Sequence, residues 1–156
     1  MPALLVKDFM NKKVVSFTNE TSIAVAVHSL LQSHQIGAPV INEHKQVIGW
    51  ISEQDCLDKM LKSSYHCDET ALVGDIKNDQ VLSVSPQDNV LDLANKMLGQ
   101  KPKTYPVVED GKLIGIIARR DILNAVDQHL SSCYTLKDPL INPPAHSHIF
   151  SAVGQK

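Results

Sequence analysis

The chain has 156 residues, of which 43% are hydrophobic, 21% charged and only 4% aromatic, and its formal net charge is −2. That length has room for one ordinary domain or for two small ones that share a core. The balanced charge argues against a nucleic-acid surface, which needs clustered positive charge, and the few aromatic residues argue against base-stacking platforms.

The chain begins with a short apolar run that Lys7 and Asp8 interrupt. This run is too short for the core of a signal peptide, and no later run approaches the length of a membrane span. The three cysteines, Cys56, Cys67 and Cys133, are odd in number and have no CxxC spacing. They are typical of free thiols in a reducing compartment. We therefore expect a cytoplasmic protein without a membrane or nucleic-acid partner.

An internal repeat organises the sequence, and we call residues 6–62 copy one and residues 72–130 copy two. The Pro-Val pair at Pro39 recurs 67 residues later at Pro106, and the same offset relates two amphipathic helical stripes. The stripes are Ile23, Ala26, Val27, Leu30 and Leu31 in copy one, and Val90, Leu93, Ala94, Met97 and Leu98 in copy two. The offset then falls to 66, because one residue is missing where a hairpin turn is predicted.

Each copy predicts three short strands. The first is a lead-in strand, and the other two are β-rich apolar runs that form a hairpin. In chain order these strands are 14–17, 38–41 and 47–51 in copy one, and 81–84, 105–108 and 113–117 in copy two.

Each copy also predicts two helices. The first follows the lead-in strand and is capped by Thr21 or Ser22 in copy one, and by Asp88 or Asn89 in copy two. The second follows the hairpin and has an apolar face. The residues of that face are Cys56, Leu57, Met60 and Leu61 in copy one, and Ile122, Leu123, Val126 and Leu130 in copy two.

These elements predict an α+β fold of two β-α-β-β-α units. A unit of about 60 residues buries too little surface to be secure alone, so we expect the copies to pack through their sheets with pseudo-twofold symmetry. Residues 63–71 are the predicted linker. Beyond Ser131 the periodicity ends, which predicts that residues 131–156 are a tail, extended or disordered.

Ser52 and Asp55, at the strand-to-helix junction of copy one, are candidate ligand-binding residues. An ionised aspartate offers two acceptor oxygens that suit a ribose diol, and Ser52 can reach the same sugar or a phosphate. The amides that open the helix also favour an anion. The alternative is a capping box, in which both side chains only satisfy helix-end amides. Copy two keeps Asp121 but has Ala118 in place of the serine, and reciprocal capping does not explain that aspartate.

The two stretches of sequence around these residues resemble the motif of the cystathionine-β-synthase (CBS) domain family. The family pattern is a Pro-Val strand, a Gly-apolar-apolar-Ser/Thr-x-x-Asp hinge and an apolar helix. The stretch GAPVINEHKQVIGWISEQDCL matches it in full, and KTYPVVEDGKLIGIIARRDIL matches it except at Ala118. We interpret the hinge glycines, Gly49 and Gly115, as turning the strand. The resemblance covers residues 6–130 and leaves the tail unassigned.

The resemblance implies a tandem pair, called a Bateman module, that senses an adenosine-containing ligand in clefts between the copies. The ligand classes of the family are AMP, ADP, ATP, S-adenosylmethionine, NAD and cyclic dinucleotides. We expect a free-standing regulatory sensor that is not an enzyme, has no resident cofactor and signals to an unidentified protein in trans. The apolar helix surface that a sheet face cannot cover also predicts a homodimer. The alternative is a ligand-free module for dimerisation or protein interaction.

Further candidate ligand-binding residues flank the Pro-Val strands. Gly37, Ala38 and Pro39 are small, which would let a flat base approach the backbone or would simply permit tight sheet packing. Lys101 and Lys103 precede the equivalent strand, where the family often has basic residues that reach a phosphate. Solvated side chains are the alternative, more so for Lys101. The remaining candidates in copy two are Thr104, Tyr105, Pro106, Arg119 and Asp121. Arg119 either meets a phosphate or is simply an exposed arginine at the start of the helix.

Two other chemistries find little support in the spacing. His146 and His148 in the tail, with Cys133 and residues 66–69, include potential metal ligands, but nothing matches a structural zinc site. Cys56 occupies an apolar helix position, which is typical of a small hydrophobe rather than a nucleophile. We therefore predict neither a metal site nor a catalytic residue.

Overall fold

The computed structural model describes residues 3–63 and 71–134, which form six helices and four strands. Copy one contains α1 (Val6–Phe9), α2 (Ile23–Ser33), β1 (Gly37–Ile41), β2 (Val47–Ser52) and α3 (Glu53–Ser63). Copy two contains α4 (Val73–Ile76), α5 (Val90–Lys96), β3 (Thr104–Glu109), β4 (Lys112–Ala118) and α6 (Arg119–Tyr134). The predicted α+β fold of two repeated units is confirmed. Most of the predicted linker (64–70) and the tail from residue 135, with His146 and His148, lie outside the described residues.

Each copy contributes one antiparallel hairpin, β1 with β2 and β3 with β4. In copy two the hairpin closes on Asp110 and Gly111, whose φ angles of 53° and 78° are those of a two-residue turn of the I′ class. Copy one turns at Asn42, whose side-chain oxygen accepts hydrogen bonds from the N–H groups of His44 (2.9 Å) and Gln46 (3.0 Å). The change in repeat offset therefore lies in the turn, as predicted.

The first long helix of each copy begins at a predicted side-chain cap. Ser22 Oγ accepts a hydrogen bond from the N–H of Val25 at 3.2 Å. Asn89 Oδ1 accepts from the N–H groups of Leu91 at 2.8 Å and Asp92 at 3.3 Å. Both caps satisfy amides that have no partner inside the helix. None of the helices within the described residues has the length and apolar content that crossing a bilayer requires.

The predicted lead-in strands are shorter than expected. Each is reduced to a single parallel bridge, from Phe17 to Val40 in copy one and from Val84 to Val107 in copy two. A hydrogen-bonded turn begins directly after the bridged residue in both copies. Because the chain turns away at that point, no further ladder can form.

The final helix of copy two is longer than predicted. α6 continues to Tyr134, so residues 131–134 are helical and do not belong to an extended tail. The serines in this stretch interrupt the apolar stripe without terminating the helix, since serine costs a helix interior only a fraction of a kcal/mol, roughly half, relative to alanine.

Two hydrophobic cores form, and each contains a valine from the other copy. Val6 is fully buried in the core of copy two, in one cluster with Val107. Val73 is fully buried in the core of copy one, in one cluster with Val40. The short helices α1 and α4 are therefore exchanged between the copies, and the sequence repeat does not coincide with the packing unit.

Paired backbone hydrogen bonds hold the exchanged segments in place. Asn11 and Ile116 exchange two N–H···O bonds of 2.8 and 3.0 Å, and Asn78 and Trp50 exchange two of 2.8 and 2.9 Å. Each exchanged segment thus extends the hairpin of the other copy. The two copies cannot separate without exposing a valine from each core.

Gly49 and Gly115 allow this close approach and do not turn the strand, contrary to our interpretation of the motif. Neither has a positive φ, and both lie within strands. A Cβ on Gly49 would lie 2.6 Å from Cδ of Lys77, and one on Gly115 would lie 2.9 Å from Sδ of Met10. Lys77 and Met10 belong to the exchanged segments, so glycine is needed where those segments cross the strands.

The exchange of α1 and α4 predicts which copy a core substitution destabilises. Val6→Ala should lower the free energy of unfolding by about 1–3 kcal/mol, from lost apolar burial and a residual cavity. Hydrogen exchange should then accelerate in β3 and β4 of copy two. The matched variant Val73→Ala should accelerate it in β1 and β2. Acceleration in the opposite hairpins, measured by mass spectrometry, would contradict the exchange.

Candidate functional site

A cavity of about 370 Å³ lies where the hinge of copy one meets the segment before β3 of copy two. Its volume falls in the range of about 300–1,000 Å³ that is typical of small-molecule sites. We call it the Ser52 cleft. Its lining residues are Ile36, Trp50, Ser52, Glu53 and Gln54 from copy one, and Lys101, Pro102, Lys103 and Thr104 from copy two.

Ser52 and Asp55 form a reciprocal capping box at the start of α3. The N–H of Ser52 donates to Asp55 Oδ2, and the N–H of Asp55 donates to Ser52 Oγ, both at 3.0 Å. The capping alternative is therefore realised. Ser52 lines the cleft, whereas Asp55 is half-buried and is not among the lining residues. Because the cap uses one carboxylate oxygen, Oδ1 of Asp55 retains its capacity to accept a second hydrogen bond.

Asp121 makes the same backbone contact in copy two without a serine. Its Oδ2 accepts a hydrogen bond from the N–H of Ala118 at 2.8 Å. Half of the capping box thus survives, and this one-sided cap accounts for an aspartate that reciprocal capping could not explain. Neither aspartate needs a ligand to account for its presence.

The positive charge of the Ser52 cleft comes from lysine side chains more than from helix amides. The N–H of Glu53 donates to the carbonyl of Ile36 at 2.8 Å, and the Asp55 amide is taken by the capping box. Lys101 and Lys103 are exposed, and neither forms a salt bridge within residues 3–63 and 71–134. The carboxylate of Glu53, in the same cleft, offsets part of their charge.

Strand alternation directs several predicted residues away from the Ser52 cleft. Thr104 lines the cleft, but the next residue, Tyr105, is buried in the core of copy two and lines a different cavity of about 230 Å³. Ala38 is buried in the core of copy one. Pro39 and Pro106 are fully buried within their strands, although Pro106 borders a small cavity described below.

Two further candidates, Arg119 and Gly37, have neighbours that bear on their predicted roles. Burial raises the pKa of the Tyr105 phenol, and the charge of Arg119 partly lowers it again, so Arg119 lies within electrostatic range of Tyr105 in copy two. Gly37 lies under the Trp50 indole, since a Cβ on this glycine would be 2.6 Å from Trp50 Nε1. The space above Gly37, where we expected a base to approach the backbone, therefore holds the indole.

Trp50 and Glu53 line the cleft although the motif does not single them out. Trp50 stands two residues before Ser52 on β2, and such residues share one face of a strand. That spacing is the sequence signal by which Trp50 could have been found. Trp50 also borders an adjoining cavity of about 100 Å³, which shares Pro102 and Thr104 with the Ser52 cleft.

Cys56 is a core residue with 2% of its surface exposed. Burial raises the pKa of its thiol, and the neighbouring Asp55 carboxylate raises it further. The thiolate that a nucleophile requires is thus disfavoured. Over the described part of the chain, no three His, Cys, Asp or Glu side chains are grouped to hold a metal ion.

Solved structures of CBS domain pairs share this architecture. The crystal structure of CBSX2 from Arabidopsis thaliana in complex with AMP superposes with a TM-score of 0.70 at 30% identity, covering 81% of this chain and 98% of that one. The CBS domain pair of protein MJ0100, in complex with 5′-methylthioadenosine and S-adenosyl-L-methionine, gives a TM-score of 0.67 at 25% identity, covering 82% and 99%.

Two curated relatives bear the name of uncharacterised proteins. MJ1225 of Methanocaldococcus jannaschii is 28% identical over 118 residues, which cover 76% of this chain and 41% of that protein. MK0525 of Methanopyrus kandleri is 34% identical over 105 residues, which cover 66% of this chain and 53% of that protein. The chain thus spans about half or less of the length of these relatives.

The family assignment follows from the sequence itself as well as from these likenesses. The CBS domain family model matches the chain twice, over residues 6–62 and 73–128. The two matches fall on the two halves of the chain that exchange their short helices. The chain therefore belongs to the CBS domain family, as a tandem pair of CBS domains.

Proposed function

We propose that the chain is a regulatory sensor that binds an adenosine-containing ligand in the Ser52 cleft. The observation that carries this proposal is that Ser52, from the hinge of copy one, lines one cavity with Lys103 and Thr104 of copy two. Neither copy can form that site alone. A ligand held there would bridge the copies and stabilise one arrangement of the pair.

The groups around the cleft suit a nucleoside or nucleotide. Asp55 Oδ1 and the Ser52 hydroxyl would bind the ribose diol, and the charge on the carboxylate strengthens such bonds. Lys103, with Lys101 beside it, would neutralise a phosphate. In this assignment the capping box has a second purpose, because it holds the two sugar-binding side chains in fixed positions before the ligand arrives.

The ligands of related structures support the adenosine class. CBSX2 was crystallised with AMP, and the MJ0100 pair with 5′-methylthioadenosine and S-adenosyl-L-methionine. These three molecules share an adenosine group and differ in what is attached to its 5′ position. We therefore propose adenosine as the common recognition element for this chain and the lysines as the groups that select the 5′ substituent.

Ligand binding would reach beyond the cleft through the segment that carries Lys103. The carbonyl of Lys103 accepts a hydrogen bond of 2.8 Å from the N–H of Arg119, at the hinge of copy two. A shift of this segment towards a phosphate would therefore move the second hinge, where Asp121 lies. Such coupling is the means by which a non-enzymatic module would signal in trans to a cytoplasmic partner.

The proposal includes a homodimer, for which the helices offer equivalent apolar surfaces. Leu31 and Leu98 occupy matching repeat positions and are 70% and 72% exposed. Leu57 and Leu123 also match, at 58% and 68% exposed. Large apolar side chains exposed at the same positions of both copies are typical of an interface.

Adenine nucleotides should stabilise the protein. AMP at 100 times its dissociation constant should add about 2.7 kcal/mol to the free energy of unfolding, which raises the melting temperature by roughly 5–10 °C at this size. Inorganic phosphate at the same concentration is the control and should give a much smaller shift. The absence of any shift with AMP, ATP or S-adenosylmethionine would favour a ligand-free dimerisation module.

The two hinge aspartates should contribute unequally to AMP binding. Asp55→Asn keeps an oxygen for the Ser52 amide but removes the charge, so it should abolish the tighter binding event in calorimetry. Asp121→Asn, which replaces an aspartate with the same backbone contact, is the matched control and should affect only a weaker event. Ser52→Ala should weaken AMP roughly three- to tenfold, the effect of one lost hydrogen bond of about 0.5–1.5 kcal/mol. Wild-type affinity in Asp55→Asn would overturn the site assignment.

The apolar helix surface should mediate dimer formation. The double variant Leu31→Asp/Leu98→Asp should be monomeric by light scattering, because burying two carboxylates in an apolar interface is unfavourable. Since both leucines are exposed on the single chain, the monomeric variant should keep its fold, which circular dichroism checks, although it loses the stabilisation that association provides. His28→Asp, at an exposed position of α2, is the control and should remain dimeric. A monomeric wild-type chain at micromolar concentration would contradict the homodimer.

A further inference from the structure

Trp50 brings an aromatic surface to the Ser52 cleft. It lies two residues before Ser52 on β2, so the two side chains share a face of the strand at a spacing of about 6.6–6.8 Å along it. A ribose held at Ser52 would thus place its base near the indole.

The position of the indole depends on Gly37. A Cβ on Gly37 would lie 2.6 Å from Nε1 and 3.0 Å from Cε2 of Trp50, so the ring can lie over β1 only because that residue has no side chain. Copy two has Thr104 and Ile116 at the equivalent positions, and Ile116 is 3% exposed. The aromatic surface therefore belongs to one cleft and not to its pseudo-equivalent.

Trp50 lines two adjoining cavities. One is the Ser52 cleft with its lysines, and the other is the cavity of about 100 Å³, whose lining includes Val81, Leu82 and Pro102. Leu82 is 58% exposed and Ile36, in the Ser52 cleft, is 43% exposed. Large apolar side chains are thus left uncovered around the ring.

We propose that Trp50 is the base-stacking residue of the Ser52 cleft and makes that cleft selective for ligands that carry a planar heterocycle over sugar phosphates that lack one. The inference rests on the proposed function and deepens it. Stacking on an aromatic side chain tolerates any base, because every base has a π-face. Asn78 and Gln80 also line the adjoining cavity, so a base that extended into it would meet these polar residues.

The experiment uses the full chain with AMP and with ribose 5-phosphate, which has the same sugar and phosphate but no base. Trp50 is the single tryptophan of the chain, so tryptophan emission, excited selectively over tyrosine, reports on this residue alone. We expect AMP to change the emission with the affinity found by calorimetry. Ribose 5-phosphate should bind more weakly and leave the emission nearly unchanged.

Two variants of Trp50 test whether a loss of AMP affinity comes from lost stacking or from a loss of folded protein. Trp50→Leu should weaken AMP roughly tenfold to a hundredfold, the range found for loss of a stacked aromatic, while its affinity for ribose 5-phosphate stays within a factor of about two of wild type, inside the context variation of a single contact. Trp50→Phe keeps an aromatic ring and should restore most of the AMP affinity. Melting curves without ligand establish that both variants are folded.

The outcomes distinguish this inference from the function on which it rests. If AMP binds the wild-type protein but leaves the emission unchanged, or binds Trp50→Leu as tightly as wild type, the stacking role is refuted and the proposed function stands. An equal loss of AMP and ribose 5-phosphate in Trp50→Leu also refutes stacking, because the loss would not depend on the base. If no adenosine-containing ligand binds the wild-type chain, the proposed function fails, and the stacking role fails with it.

Discussion

Two pairs of backbone hydrogen bonds, Asn11 with Ile116 and Trp50 with Asn78, fix the arrangement on which the rest of the molecule depends. Each hydrogen bond contributes only about 0.5–1.5 kcal/mol net to the free energy of unfolding, but together the bonds hold the exchanged segments in place. Those segments carry Val6 and Val73 into the two cores, where both are fully buried. Because each copy completes the core of the other, the two copies form one packed unit, although the sequence consists of two repeats.

The candidate site lies at the boundary between the two copies, beside the strand that pairs with an exchanged segment. Trp50 is bonded through its backbone to the exchanged segment of copy two, while its side chain lines the cleft. Ser52 follows on the same strand, and Lys103 faces it from copy two. A ligand in this position would contact the same strand that joins the copies, so binding and the mutual orientation of the copies are physically linked.

Local signals in the sequence predicted most of the fold. The caps at Ser22 and Asn89, the turn at Asp110 and the change of repeat offset each depend on residues close together in the chain. The exchange of α1 and α4 could not be predicted in the same way. Val6 and Val73 are equivalent in the repeat, so either valine fits either core, and only the long-range packing distinguishes the two arrangements.

The candidate site was predicted less completely, and for a similar reason. Ser52, Lys103 and Thr104 follow from the motif, and the structure brings them to one cavity. Tyr105 and Ala38 were expected beside them, but strand alternation turns both into the cores. Trp50 carries no motif signal, and its position follows from Gly37, a glycine that we had assigned to the approach of a base.

The most direct test of this account is a crystal structure of the full chain grown with AMP. The account predicts one AMP in the Ser52 cleft, with the ribose hydroxyls bonded to Asp55, the adenine against the Trp50 indole and the phosphate near Lys103. Contacts would then come from both copies. AMP bound elsewhere, held by one copy alone, or absent from crystals grown at saturating concentration would contradict the account.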